Sequence, residues 1–217
     1  TNAAFPPFEY LGDDGEPDGF DIALIEAIGE KLGVTVEVMD MEFDSLCTSV
    51  GNRIDVAIAG MTVDPEREQT VTFSDNYYKA IQNVLVAADN TEITDMASLE
   101  GKAIGVQQGT TGDMIATDEI PNAEVKRYNT FALAVEDLKN GNLDAVIIDQ
   151  NPAEVFAAEN EGVLTLLGAE NFGFADEYYA IACPKDDSAL VASVNAALAE
   201  LQADGTFDQL VAEYIEK

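Results

Sequence analysis

Apolar and polar positions alternate along this chain in two registers, and the switch between them predicts its elements. "GFDIALIEAIGEKLG" (19–33) repeats apolar residues at helical spacing and closes on a glycine, which predicts a helix. "VTVEVMDM" (34–41) alternates with a period of two and predicts a strand. "DSLCTSVGN" (44–52) reads as a short helix, and "RIDVAIAG" (53–60) as a short, mostly apolar strand of the buried parallel kind. Further on, strands are predicted at 101–109, 123–129 and 143–150, with helices at 111–117 and 131–141 between them. The end, "SALVASVNAALAELQADGTFDQLVAEYIEK", reads as two helices broken at Gly205. Strand and helix alternating in this way predict α/β architecture with mainly parallel sheets.

Two stretches share one plan. "FDSLCTSVGNRIDVAIAG" (43–60) and "FALAVEDLKNGNLDAVIID" (131–149) each carry a Phe, a helix, a Gly-Asn turn, an Asp and a buried strand. Two similar α/β lobes would produce this echo, and chance likeness between two αβ units is the plainer reading. In such lobes ligands bind at the carboxyl ends of the strands. There the first unit delivers Gly60, Thr62 and then Arg67, and the second delivers Asp149. A guanidinium and a hydroxyl on one side and a carboxylate on the other suit the two charges of an α-amino acid. Taken singly, Arg67 also reads as a surface partner of Glu66 or Glu68, a pairing worth little.

Charge sharpens that reading. The chain has 10 Lys and Arg against 42 Asp and Glu, a net charge of −32, so each arginine is scarce. Nucleic acid and anionic membranes are excluded as partners, because both need basic clusters. The acids are spread along the chain, as on a solvated acidic surface. No apolar run reaches the roughly 18 residues that cross a bilayer. The first residues, "TNAAFPPFEY", lack the regions of a signal peptide. There is no histidine, which removes Cys–His and Ser–His catalytic pairs and His-based zinc sites. Cys47 and Cys183 sit in apolar surroundings and read as buried small hydrophobes, with a disulfide between them left open.

"GFDIALIEAIGEKLG", "RIDVAIAGMTVDPEREQTVTFSDNYY", "GVQQGTTGD" and "LDAVIIDQNPA" resemble the solute-binding proteins of amino-acid ABC transporters, and the resemblance runs from "AFPPFEY" to the last helix. Its most specific stretch is G-x-T-x-x-x-x-R ahead of F-S-x-x-Y-Y. The resemblance implies the periplasmic binding-protein type II fold, two α/β lobes that close on a ligand like a hinge. It places the crossings near Tyr77 to Ile81 and near Asp176 to Tyr179, with lobe 1 as 1–78 plus 180–217 and lobe 2 as 79–179. Arg67 and Thr62, beside the Gly60 backbone, then resemble the carboxylate binders, and Asp149 the ammonium partner. Thr110 and Thr111 match a second anion-holding loop at a helix N-terminus. Phe5 and Phe43 match aromatic walls around the ligand side chain, with core packing as the other reading.

Two departures carry information. Asn2 stands where relatives that bind basic amino acids commonly carry an acid, and Gln107 where a glutamine-binding relative carries lysine. An uncharged ligand side chain is therefore expected. The family also has a strand ahead of "AF", of which little remains before Thr1; the chain either continues upstream or leaves lobe 1 without a central strand, at a cost in stability. The resemblance implies a periplasmic or extracellular protein, with a lipid anchor as one option. It further implies a monomer with a free amino acid and an ABC permease as partners, and no cofactor or metal. A sensor module of a receptor and an enzyme like cyclohexadienyl dehydratase, on the same fold, stand as alternatives.

Overall fold

The computed structural model describes residues 1–216. The chain divides into two units: Thr1–Lys79 with Tyr178–Lys217, and Ala80–Glu177. It opens in the first unit with β1 (Ala4–Phe5), β2 (Glu9–Leu11), β3 (Pro17–Asp18), α1 (Phe20–Leu32), α2 (Leu46–Ser49) and β4 (Val71–Phe73). It crosses to the second unit inside β5 (Tyr78–Ala87). There follow β6 (Ala103–Gln107), α3 (Thr111–Asp118), β7 (Glu124–Tyr128), α4 (Phe131–Lys139), β8 (Ala145–Asp149), α5 (Gln150–Glu159) and β9 (Leu164–Leu167). The chain returns inside β10 (Asp176–Tyr179) and ends with β11 (Ala182–Pro184), α6 (Ser188–Asp204) and α7 (Thr206–Tyr214).

The second unit is a layered α/β body. Its sheet runs in the order β10-β5-β8-β6-β7, with β9 also on β5. β6 is parallel to β7 and β8, whereas the long β5 is antiparallel to β8 and β9, so the sheet is mixed. β8 is buried at every position. Its alternate residues, Ala145 and Ile147, join Val84, Ile104 and Val106 in one core with Ala116 of α3. On the other face Gly105 lets the sheet close on α4, because a Cβ there would meet Leu143 at 2.5 Å and Ala134 at 3.3 Å. Strands covered on both faces must be apolar throughout, which is why they read as unbroken apolar runs.

The first unit is built differently. β1, β2 and β3 form an antiparallel ribbon, and β4 pairs antiparallel with β11. α1 buries Phe20, Leu24, Ile25 and Ile28 and ends on Gly33 in the left-handed conformation (φ 69°). Gly205 (φ 85°) separates α6 from α7. Aromatic rings fill the interior: Phe8 meets Tyr78 at 5.0 Å and Tyr179 at 5.2 Å, and Phe20 meets Phe207 at 5.6 Å.

Two strand expectations fail here. Residues 34–42 and 54–61 belong to no strand; the second stretch has isolated bridges at Val50–Ile54 and Ala57–Ala182. Alternation supplies a face to bury, but a strand also needs a neighbour at hydrogen-bonding distance. Between these stretches lies a slot of about 320 Å³ lined by Ile25, Ile28, Val36, Val38, Val56 and Ile58 among others. Only at its end does pairing begin: Thr1 donates to Met39 O (3.1 Å) and accepts from Met41 N–H (3.0 Å). Cys47 is half-buried and Cys183 buried, and both are free thiols.

Candidate functional site

In the first unit, the residues expected to grip a carboxylate lie together. Gly60 has φ 50°, and a Cβ on it would stand 2.7 Å from the Phe5 ring, so the glycine lets that ring lie against the backbone. Two residues on, Thr62 is buried and bridges to Tyr179. Arg67 is 8% exposed, which removes the surface-pair reading. Its Nη1 donates to Thr62 O at 2.7 Å, its backbone N–H donates to Asp64 Oδ1 at 3.1 Å, and its guanidinium carbon lies 5.3 Å from the centre of the Phe43 ring. The aromatic face holds the guanidinium plane and leaves its fork geometry suited to a planar anion. Asn2 is buried and donates through Nδ2 to Met41 O at 3.0 Å.

In the second unit, the strand ends carry the expected residues. Asp149 closes β8, is 5% exposed, and sits opposite Gln82 in the pairing with β5. It occupies the N-cap position of α5 without capping it through its side chain. Gln107 closes β6, and its Nε2 donates to Asn129 O at 2.7 Å, which ties it to the turn before α4. Thr110 is the N-cap of α3. Its hydroxyl donates to Gln107 O (2.8 Å) and accepts from Asp113 N–H (3.3 Å), so its role is to build the turn. The hydroxyl of Thr111 donates to Glu177 Oε2 at 2.8 Å and accepts from Gln82 Nε2 at 3.0 Å. Gly112 allows α3 to sit on β8, since a Cβ there would meet Ile147 O at 2.9 Å.

Several supporting residues escaped the sequence. Asp113 holds the turn before α3 through Gly109 N–H (3.1 Å) and is itself held by Arg127 Nε (3.0 Å). Gln82 and Glu177 orient Thr111 from β5 and β10. Asp21 and Tyr77 stand behind Gly60. For Asp21 a signal existed: it falls on the apolar face of a helix, where an acid is costly to bury without partners. For Gln82 and Glu177 the partners are far along the chain, and no local pattern marks them.

Comparison with known proteins agrees with this picture. The profile of the bacterial extracellular solute-binding proteins, family 3, matches residues 1–217. ABC transporter arginine-binding protein 1 of Escherichia coli (strain K12) is 34% identical over 97% of this chain and 86% of its own length. The L-cystine-binding protein TcyJ of the same strain is 29% identical over 95% of this chain and 77% of its own. An ancestral arginine-binding protein bound to glutamine superposes with a TM-score of 0.90 at 36% identity, covering 100% of this chain and 96% of its own. The ancestral amino acid-binding protein AncCDT-1, a precursor of cyclohexadienyl dehydratase, gives 0.90 at 30% identity, covering 98% and 92%. Matched from end to end in sequence and in backbone, the chain belongs to the bacterial extracellular solute-binding proteins, family 3, and has their α/β type II periplasmic binding-protein fold.

Proposed function

We propose that this chain is the extracytoplasmic solute-binding component of an amino-acid ABC transporter. It acts as a monomer that takes up a free L-α-amino acid by hinge closure and hands it to a membrane permease. The observation that carries this reading is Arg67, a scarce cation buried against the Thr62 carbonyl and the Phe43 ring. A guanidinium presents paired N–H donors in a plane that matches a ligand carboxylate. Asp149, buried at the end of β8, is the counter-charge for the ligand ammonium. The Thr110–Thr111 turn stands at the N-terminus of α3, the end of a helix that favours an anion. Relatives named for arginine and cystine binding support the amino-acid class. The structural neighbour that precedes a dehydratase is itself named an amino acid-binding protein, which favours binding over chemistry.

The ligand side chain is uncharged on this reading. Asn2 and Gln107 present neutral amides, and a cationic side chain would ask for an acid there. The arginine-binding neighbour bound to glutamine supports a fold that accepts a neutral amide ligand. The test is titration calorimetry with all twenty amino acids and cystine, on protein unfolded and refolded to strip carried-over ligand. The expected result is 1:1 binding, tightest for a neutral amino acid. A basic amino acid binding tightest overturns the side-chain assignment; no binding by any overturns the function.

A further inference from the structure

Behind the Gly60 turn lies a buried acid that no ligand contact explains. Asp21, in the first turn of α1, is 0% exposed. Its Oδ2 accepts from Gly60 N–H at 2.7 Å and from the Tyr77 hydroxyl at 2.8 Å. A second acid, Glu9, is buried on β2 and bears on its ionisation. Two acids buried in one interior resist ionising together, so such a pair holds a proton more tightly than an exposed carboxyl does. The charged groups bearing on the pair are the Thr1 α-ammonium and, beside it, Asp40; Tyr77 faces it as a hydroxyl whose own pKa burial and the two acids push well above its usual value. Burial raises the Asp21 carboxyl to about 6, against the opposing bonds from Gly60 and Tyr77.

From this geometry we infer that Asp21 is the positioning residue of the ligand-carboxylate turn. It fixes Gly60, and through that backbone Thr62 and Arg67, and because it is buried directly under that turn its ionisation makes amino-acid affinity depend on pH. This rests on the amino-acid reading above. Gly60 donates its N–H to Asp21 on one side and leads the chain into the carboxylate binders on the other. A second anion arriving at that turn favours the protonated form of the pair, so by linkage affinity falls as the pair ionises. Tyr77 receives the same anchor one residue before β5, so the acid also ties the turn to the strand that leaves the unit.

The experiment follows the affinity of the best-binding amino acid from pH 5 to pH 8 in the natural protein, Asp21→Asn and Glu9→Gln. The expected result is a fall of at least about fivefold across that range in the natural protein. Asp21→Asn keeps an acceptor for Gly60 and Tyr77 but cannot ionise, so it flattens the profile; Glu9→Gln flattens it as well. Profiles in both variants parallel to the natural one overturn the inference. A second readout needs no ligand: amide exchange at Gly60 and Met61, compared with β6 and β8 of the same molecule. Asp21→Ala should speed exchange at the turn selectively while Asp21→Asn preserves it; equal protection in all three proteins overturns the inference. If no amino acid binds, the functional reading fails while the exchange measurement still decides the role of Asp21. If Asp21→Ala does not fold, the slope of thermal stability with pH in Asp21→Asn decides it: a slope like that of the natural protein overturns the inference.

Discussion

The two units hold the residues assigned to the ligand by different means. In the second, Asp149 stands at the end of a strand buried at every position and paired on both sides. In the first, Arg67 sits in a short 3₁₀ turn after a stretch with little ladder, with bonds to Thr62 and Asp64 and a ring among its contacts. A sheet supplies many redundant hydrogen bonds, so losing one shifts little. The first unit relies on nodes, among them Asp21 under Gly60 and the cluster of Phe8, Phe20, Tyr78 and Tyr179. Positioning by nodes is specific but fragile, and removing one node should cost function before fold.

The sharpest way to break the comparison is Arg67→Ala. It should cost amino-acid binding roughly 3–5 kcal/mol, on the scale seen when one member of a buried charge pair is truncated. Calorimetry checks this; unchanged affinity would falsify the carboxylate role. The second test deletes equal side chains in the two units. Ile104→Ala, in the sheet core of the second, should cost about 3–4 kcal/mol of stability. Ile58→Ala, lining the slot in the first, should cost about half as much, because part of its surroundings is already empty. Denaturant titration of both variants decides, and equal losses erase the contrast in packing.

Gly60→Ala is the third. With φ 50° and the Phe5 ring in the way, it should destabilise by about 1–3 kcal/mol and weaken binding together. An affinity loss with no shift in melting temperature would place Gly60 at the ligand without strain. The smallest effect is in pH. Asp21 has a folded pKa near 6 against an ordinary value of 3.8, so the folded state holds the proton more tightly. Its stabilising contribution is complete below about pH 4 and lost as pH rises through 6. Between pH 7 and pH 5 it should add about 1 kcal/mol, absent in Asp21→Asn. The difference in melting temperature between the two proteins at each pH measures it.

Helices were legible because their signal is local. Phe20, Leu24 and Ile28 recur at one period and all meet the core, and Gly33 stops the helix where the sequence says. β6 and β8 were legible because strands covered on both faces cannot hide polar residues. Residues 34–41 were not, although they alternate better than either. Alternation describes a strand's faces, whereas pairing depends on what lies beside it, and that is set by distant chain. The site divides the same way. Arg67 stood out by scarcity, and in the structure it is buried. Thr110 was read as part of an anion-holding loop, and its hydroxyl bonds Gln107 O, a local bond that its N-cap position announces. Asp21 was hidden among 42 acids, distinguished only by lying on an apolar face.

The most direct test of the central claim, that Arg67 and Asp149 grip the two charges of one amino acid, alters the ligand and leaves the protein as it is. Calorimetry would compare the best-binding amino acid with its carboxamide and with its N-acetyl derivative. The account predicts that each derivative loses roughly 2–5 kcal/mol, about 30-fold to several thousandfold in affinity, because each leaves one buried charge without its partner. A derivative that binds within a few-fold of the parent would contradict it, and would identify which of the two units does not hold the charge assigned to it.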